Sequence, residues 1–454
     1  MKPMQFQVSQ SHEQLTSQAG LGLIGALLGQ TELSERVDQV QIPTRPTPDI
    51  SHGDVVTTMT GLVALGKPDF EAVKSFRRDP FFRLALGLEQ VPSAETLRQR
   101  LNGLAGSLET IIREESADLV ARQAPAITPC YQKEDQRYEP WVALDVDVSP
   151  FDNSDSHKEG VSWTYHQVDG YAPIFAYLGQ EGYLINCELR PGSQHSQLGA
   201  LAFLKQTLKL VRRVTDAKLL VRLDAAHDDI DTVRLLQTTP KVDYILKRNL
   251  RQESKEFWLR EAMALGECTR PRQGKEVYVG STLLEHGDWW EEVAFEVIRR
   301  TTTADGKILP QPELEVNTWW TSLQATPAEV VQLYHEHGTS EQFHSELKSD
   351  LDLERLPSGK FATNHLVLLL GLLAYNILRL CGQTCLQECR QMPSEHRPLL
   401  PREGYRRRLR SVLLDLIYQA ARLVHHARCV GLVFGRGNPW FESWQRVYLR
   451  FCDA

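Results

Sequence analysis

No signal for crossing or leaving through a membrane is expected from this sequence. About 20 consecutive apolar residues are needed to span a bilayer. The strongly apolar stretch from Leu366 to Leu378 falls short of that and reads as a buried helix. Ala19 to Gly29 is apolar but shorter still and rich in glycine. No basic stretch followed by an apolar run stands near Met1, so no secretory signal is read there. The expectation is a cytoplasmic protein with no membrane partner. Cysteine is sparse as well, at 8 in 454 residues. Only Cys381, Cys385 and Cys389 fall in a pattern, at i, i+4 and i+8, which is one stripe on a helix. That is not zinc-ribbon spacing, so buried thiols are expected there. Positive charge is also short overall, with a formal net charge of −7. Its distribution is uneven. From Arg355 to Ala454 there are 15 Lys/Arg against 6 Asp/Glu, so that part carries +9 and the rest −16. An acidic body with a basic arm or face is the implied arrangement.

Residues from about 10 to 125 read as helical. Ser93 follows Pro92 and precedes Glu95, a good helix start, and the helix it opens carries Arg98 and Arg100. Such a module suits a nucleic-acid groove or a plain bundle. From Trp141 the pattern changes. Trp141–Val148, Tyr171–Gly179 and Tyr183–Arg190 read as strands, the last two joined by a tight hairpin at Gln180-Glu181-Gly182. A helical pattern from Leu198 to Val211 precedes a fourth strand, Lys218–Leu223. A short helix, Ile230 to Leu236, precedes a fifth, Val242–Leu246. An antiparallel meander followed by two strands on helical crossovers is the order of the ribonuclease-H-like fold. Its final helix is delayed here, because Glu276–Val279, Glu292–Thr302 and Leu314–Trp320 are β-type runs. Pro327 to Lys348 is then the delayed helix, and Leu366–Leu380 and Arg406–His426 are two more.

The expected class is therefore α/β: a ribonuclease-H-like core interrupted by a mainly β insertion, with helical N- and C-terminal regions. The divisions are 1–125, a helical region that would be DNA-binding if it enters a groove and a structural bundle if not; 126–250, the first part of the core; 251–320, the insertion; 321–380, the second part of the core; and 381–454, a basic helical region.

The chemistry depends on where this order places acids. Asp147 ends the first strand, with Asp145 two residues earlier on the same face. Asp224 ends the fourth. The first and fourth strands are neighbours in this fold, so Asp147 and Asp224 come together. A third carboxylate from the delayed helix completes an all-oxygen site suited to Mg²⁺, with Mn²⁺ as a substitute. Two such ions can activate an attacking oxygen and stabilise a leaving one.

Tyr334, His337, Glu341 and Lys348 stand at the spacing Y-x2-R-x3-E-x6-K. The chain thus resembles the DDE class of cut-and-paste insertion-sequence transposases that carry this YREK signature. Asp147-Val148-Ser149 is similar to that class's first-aspartate motif and Leu223-Asp224 to its second. Asn364 and Ala374-Tyr375-Asn376 resemble the region after the signature. The likeness runs from about Trp141 to Ile377. One departure is His337 where the class has Arg; a neutral imidazole binds phosphate far less well than a guanidinium.

The resemblance implies a metal-dependent transposase with Asp147, Asp224 and Glu341 as metal-holding catalytic triad. Its partners would be double-stranded DNA, both terminal inverted repeats and target, and a second copy in a synaptic dimer, with the protein on the nucleoid when bound. Tyr334, His337 and Lys348 are expected near phosphate. The run Arg406, Arg407, Arg408 and Arg410 is expected along the DNA backbone. Trp319 or Trp320 is the candidate to stack on a base flipped out at the transposon end. On an ideal helix, at about 100° per residue, the four signature residues lie within an arc of roughly 60° while Glu336 and Glu346 point away. Rival readings are an inactive relic that only binds DNA and a plain nuclease of the same fold.

Overall fold

The computed structural model describes residues 4–41, 49–133, 135, 139–393, 406–427 and 429–452. Nine strands share one mixed sheet: β1 (Trp141–Val148), β2 (Ile174–Leu178), β3 (Tyr183–Glu188), β4 (Lys218–Leu223), β5 (Val242–Lys247), β6 (Glu267–Arg272), β7 (Lys275–His286), β8 (Trp289–Thr302) and β9 (Ile308–Thr321). Their spatial order is β6-β7-β8-β9-β5-β4-β1-β2-β3. β1, β2 and β3 form an antiparallel meander. β4 runs parallel to β1, and β5 parallel to β4. Parallel neighbours need a crossover. Helices α1 (Ala200–Val214) and α2 (Ile230–Thr238) supply the two crossovers.

The segment between β5 and the delayed helix holds one helix, α3 (Lys255–Leu265), and the four strands β6 to β9. These strands do not form a separate sheet. β9 lies antiparallel along β5, with Trp319 opposite Lys247 and Thr321 opposite Ile245. The backbone groups β5 would otherwise leave unpaired at a sheet edge are thereby satisfied.

Four helical elements come next: α4 (Pro327–His335), a 3₁₀ turn (Glu336–Thr339), α5 (Ser340–Ser345) and a π turn (Glu346–Asp350). After them α6 (Phe361–Gln391) runs through the centre of the molecule. It is the one helix among the described residues long and apolar enough to cross a membrane, and it is buried inside the fold. Asn376 in α6 guards the far edge of the sheet. Its Oδ1 accepts from Leu184 N at 2.9 Å and its Nδ2 donates to Leu184 O at 2.7 Å, filling the ladder positions of β3.

The N-terminal region is largely helical, including Ala94–Leu104. The C-terminal region departs from the expected single helix over 406–426. A short helical stretch ends at Ile417, and Ala421–His426 and Cys429–Phe434 then form a β-hairpin. Val424, Val430, Val433 and Phe434 favour strand over helix, and the chain's own Gln14–Thr16 adds a third strand.

Candidate active site

Two carboxylates on one face of β1 meet different fates. Asp145 lies opposite Arg222 in the parallel register of β1 and β4. The Arg222 guanidinium grips it through two bonds of 2.6 and 2.7 Å. Arg222 also donates to Leu333 O at 2.6 Å, and His337 Nδ1 lies 3.0 Å from the same carboxylate. Burial alone would raise the Asp145 pKa, but Arg222 and then His337 outweigh it and hold it at about 2. Asp145 is thus a buried clamp that pins α4 to the ends of β1 and β4.

One pleat further, the register changes from clamp to open site. Val146 pairs with Leu223, so Asp147 and Asp224 stand next, side by side at the ends of neighbouring strands. Asp147 accepts from Val148 N at 2.8 Å, with His344 Nε2 at 3.2 Å and Ser340 Oγ at 3.5 Å. Burial opposes its ionised form, yet His344 and His337 hold its pKa below the usual carboxylate range. Asp224 caps the turn Ala225–His227, with Ala226 N at 3.2 Å and His227 Nδ1 at 2.6 Å, and its side chain is 40% exposed. The Tyr334 hydroxyl is held protonated, first by burial and then by Asp224 and Asp147. Lys348 is half-buried beside the Phe151 ring. Burial lowers its pKa against the pull of Glu354 and Asp147.

Glu341 does not join this cluster. It is exposed, and neither Asp147 nor Asp224 is among its partners. The reason is the 3₁₀ turn over Glu336–Thr339, which carries the poor helix formers Gly338 and Thr339. A 3₁₀ turn advances about 120° per residue instead of about 100°, so four residues rotate the downstream helix by roughly 80°. Ser340 and His344 therefore face Asp147, and Glu341 turns to the mouth of a neighbouring cleft that also carries Gln342 and Arg406. Glu346, also in the delayed helix, is buried and bound to Arg379 at 2.8 Å, to Arg406 and to Leu409 N at 3.0 Å.

Several expected DNA contacts are placed elsewhere. His337 is buried on Asp145, and the guanidinium beside it comes from Arg222. Arg406 pairs with Glu346, Arg407 with Asp415, and Arg408 with Asp350; Arg410 alone of the run is exposed with no side-chain partner among the described residues. In the N-terminal helix Arg100 is buried against His52, and Arg98 is shared between Glu71 and Glu95. Trp319 and Trp320 are only 1% and 4% exposed. Trp320 has His286 stacked on it at 4.2 Å and the Arg248 guanidinium 4.4 Å from its ring, while Trp319 packs on Tyr334. Neither indole offers a free face to a base. Tyr165, at 59%, is an exposed aromatic beside the aspartates, and Trp163, at 61%, stands two residues before it. Tyr165 donates its hydroxyl to Val148 O at 2.8 Å, and burial followed by Asp147 and Asp224 raises its pKa. The sequence signal for them is the alternation Ser162-Trp163-Thr164-Tyr165 between two strands.

As a metal centre the cluster is incomplete: among the described residues no three His, Cys, Asp or Glu side chains converge closely enough to hold an ion. The two aspartates nonetheless fit a hard divalent cation. Mg²⁺ commonly takes one or two carboxylates and fills its other positions with water and substrate phosphate oxygens.

The family profile described as transposase DDE domain group 1 matches residues 2–451. A search of curated proteins finds no match. Among solved structures the chain is similar to the cryo-EM structure of a piggyBac transposase synaptic complex with hairpin DNA. The identity is 11% over 87% of this chain and 78% of that one, with a TM-score of 0.38, a likeness too remote to transfer any detail.

Proposed function

This chain belongs to the transposase DDE domain group 1 family, and from that premise we propose that it cuts the ends of a DNA element and joins them to target DNA. The observation that carries the reading is the placement of Asp147 and Asp224 immediately after Val146 and Leu223, the last paired residues of two adjacent parallel strands, beyond the Asp145–Arg222 clamp. The strand order β3-β2-β1-β4-β5 supports a ribonuclease-H-like core.

In this reading Asp147 and Asp224 hold Mg²⁺ or Mn²⁺, and Glu341 is the third carboxylate. Relaxing the Glu336–Thr339 turn to α-helical geometry would rotate Glu341 by roughly 80°, onto the face of Tyr334 and His337. We assign that change to DNA loading. The divalent ions, when bound, neutralise charge on the scissile phosphate and raise the nucleophilicity of an attacking oxygen. The protein's own work is positioning. Lys348 and the Tyr334 hydroxyl lie on the aspartate face, where they can hold phosphate oxygens. A water oxygen attacks phosphorus and the 3′ oxygen leaves as a hydroxyl. In joining, that 3′-hydroxyl attacks a target phosphodiester, whose own 3′ oxygen leaves. Two copies acting on two ends belong to the same proposal.

The test is a strand-transfer assay with Mg²⁺ on the DNA end that the protein protects from nuclease. Cutting with joining supports a transposase. Cutting alone would make it a plain nuclease, and protection without cutting would make it a DNA-binding relic.

A further inference from the structure

Most of the cations nominated by the sequence are paired with acids of the fold, which leaves the question of what holds the DNA away from the cut. We infer that the free ends of the β6–β7 and β8–β9 hairpins form a contact for the phosphate backbone of duplex DNA. This inference rests on the transposase reading.

Its first support is charge that the protein compensates only in part. Arg270 and Arg299 share the single carboxylate of Glu276, at 3.3 and 3.6 Å. Arg272 donates only to neutral oxygens, those of Gln273 and Thr302. Lys307 extends into solvent at the turn between β8 and β9, with Asp305 at 3.5 Å. Arg270, Arg272, Lys275 and Arg299 line a shallow cleft of about 450 Å³ between the hairpin ends. A concave basic surface open to solvent suits a polyanion whose charges are spaced along a strand.

Its second support is position, which is set by strand register. Leu223 pairs with Leu246, so Asp224 stands level with Lys247. Lys247 pairs with Trp319, Trp319 with Ala294, and Ala294 with Ser281. From that row β8 continues in the direction of the β4 and β5 C-termini, so the hairpins project past the end of the sheet that carries the aspartates. Lys275 lies six residues beyond Ser281 along β7, or about 20 Å. β7 is four strands from β4, or about 19 Å across. The basic end is therefore nearly 30 Å from Asp224, about eight base pairs of B-DNA at roughly 3.4 Å each.

The competing account is that these cations, together with Pro271, guard the free edge strand β6 against pairing with another sheet. The two accounts separate in one experiment on the full-length protein and the duplex it protects. Arg270→Gln, Arg272→Gln and Lys275→Gln are combined, and Lys307→Glu is made alone. Expected for the triple variant are weaker binding and a salt dependence flattened by about 0.9 for each phosphate the protein no longer engages. Hydroxyl-radical protection should vanish about eight base pairs from the cut and persist at the cut itself. Lys307→Glu should shift both in the same direction by less. Unchanged slope and footprint, with self-association on a sizing column, would overturn the contact in favour of edge protection. If the wild type protects no duplex at all, the transposase reading falls first and takes this inference with it.

Discussion

The strands and the delayed helix both carry acids expected at the site, and they treat them differently. On β1 and β4, ladder pairing fixes every residue against its neighbour, so the alternation of faces survives from Trp141 to Val148. Asp147 and Asp224 stand where that register puts them. On the delayed helix nothing outside fixes the phase residue by residue. One 3₁₀ turn displaces Glu341 from the face, and the π turn over Glu346–Asp350 underwinds the chain again afterwards. Tyr334 and Lys348, on either side of the rotated segment, keep their place near the aspartates while Glu341 does not. Strand register resists local sequence irregularity; helical phase accumulates it.

The largest effect should come from separating the two aspartates of β1. Asp147→Asn should abolish cleavage and leave the fold intact, by urea unfolding and end-binding. Asp145→Asn should instead leave the Arg222 guanidinium without its carboxylate and cost about 3–5 kcal/mol of stability. If both variants were equally stable and equally dead, the division between clamp and site would be wrong.

The delayed helix offers the matching contrast. Glu341 is exposed, so Glu341→Gln should unfold like the wild type yet fail to cut. Glu346 neutralises the buried Arg379 as well as Arg406, so Glu346→Gln should lower stability by about 3 kcal/mol before any effect on chemistry is considered. A Glu346→Gln protein of normal melting temperature would contradict that assignment.

Tryptophans sharpen the comparison between interior and surface. Trp320→Ala should cost about 3–5 kcal/mol, because the indole is enclosed by His286, Arg248 and Asp228. Trp163→Ala should change stability by no more than about 0.5 kcal/mol. Calorimetric melting of both variants checks the pair.

The smallest expected effect is at Gly338, where an added Cβ would meet nothing within 4 Å. Gly338→Ala should raise stability by up to about 1 kcal/mol through helix propensity. A loss of stability would mean that the turn requires glycine for a reason the local space does not reveal.

Much of this was legible in the sequence where a short period decides structure. The meander, the two crossovers and the positions of Asp147 and Asp224 follow from alternation and from strand ends. The distinction between Asp145 and Asp147 was not legible, because it depends on Arg222 arriving opposite Asp145 from 77 residues away. The Arg406–Arg410 run looked like a surface because its partners Glu346, Asp350 and Asp415 lie on other elements. Trp319 and Trp320 were expected in part at a surface because β9 read as the exit of a separate insertion. Its pairing with β5 puts both indoles in the interior.

The paired aspartates are tested most directly by Mn²⁺ binding to the full-length protein, followed by electron paramagnetic resonance. The account predicts that the wild type holds Mn²⁺, that Asp147→Asn and Asp224→Asn each release it, and that the exposed Glu341 matters only once the DNA end is bound. Equal Mn²⁺ binding by the wild type and both aspartate variants would contradict it.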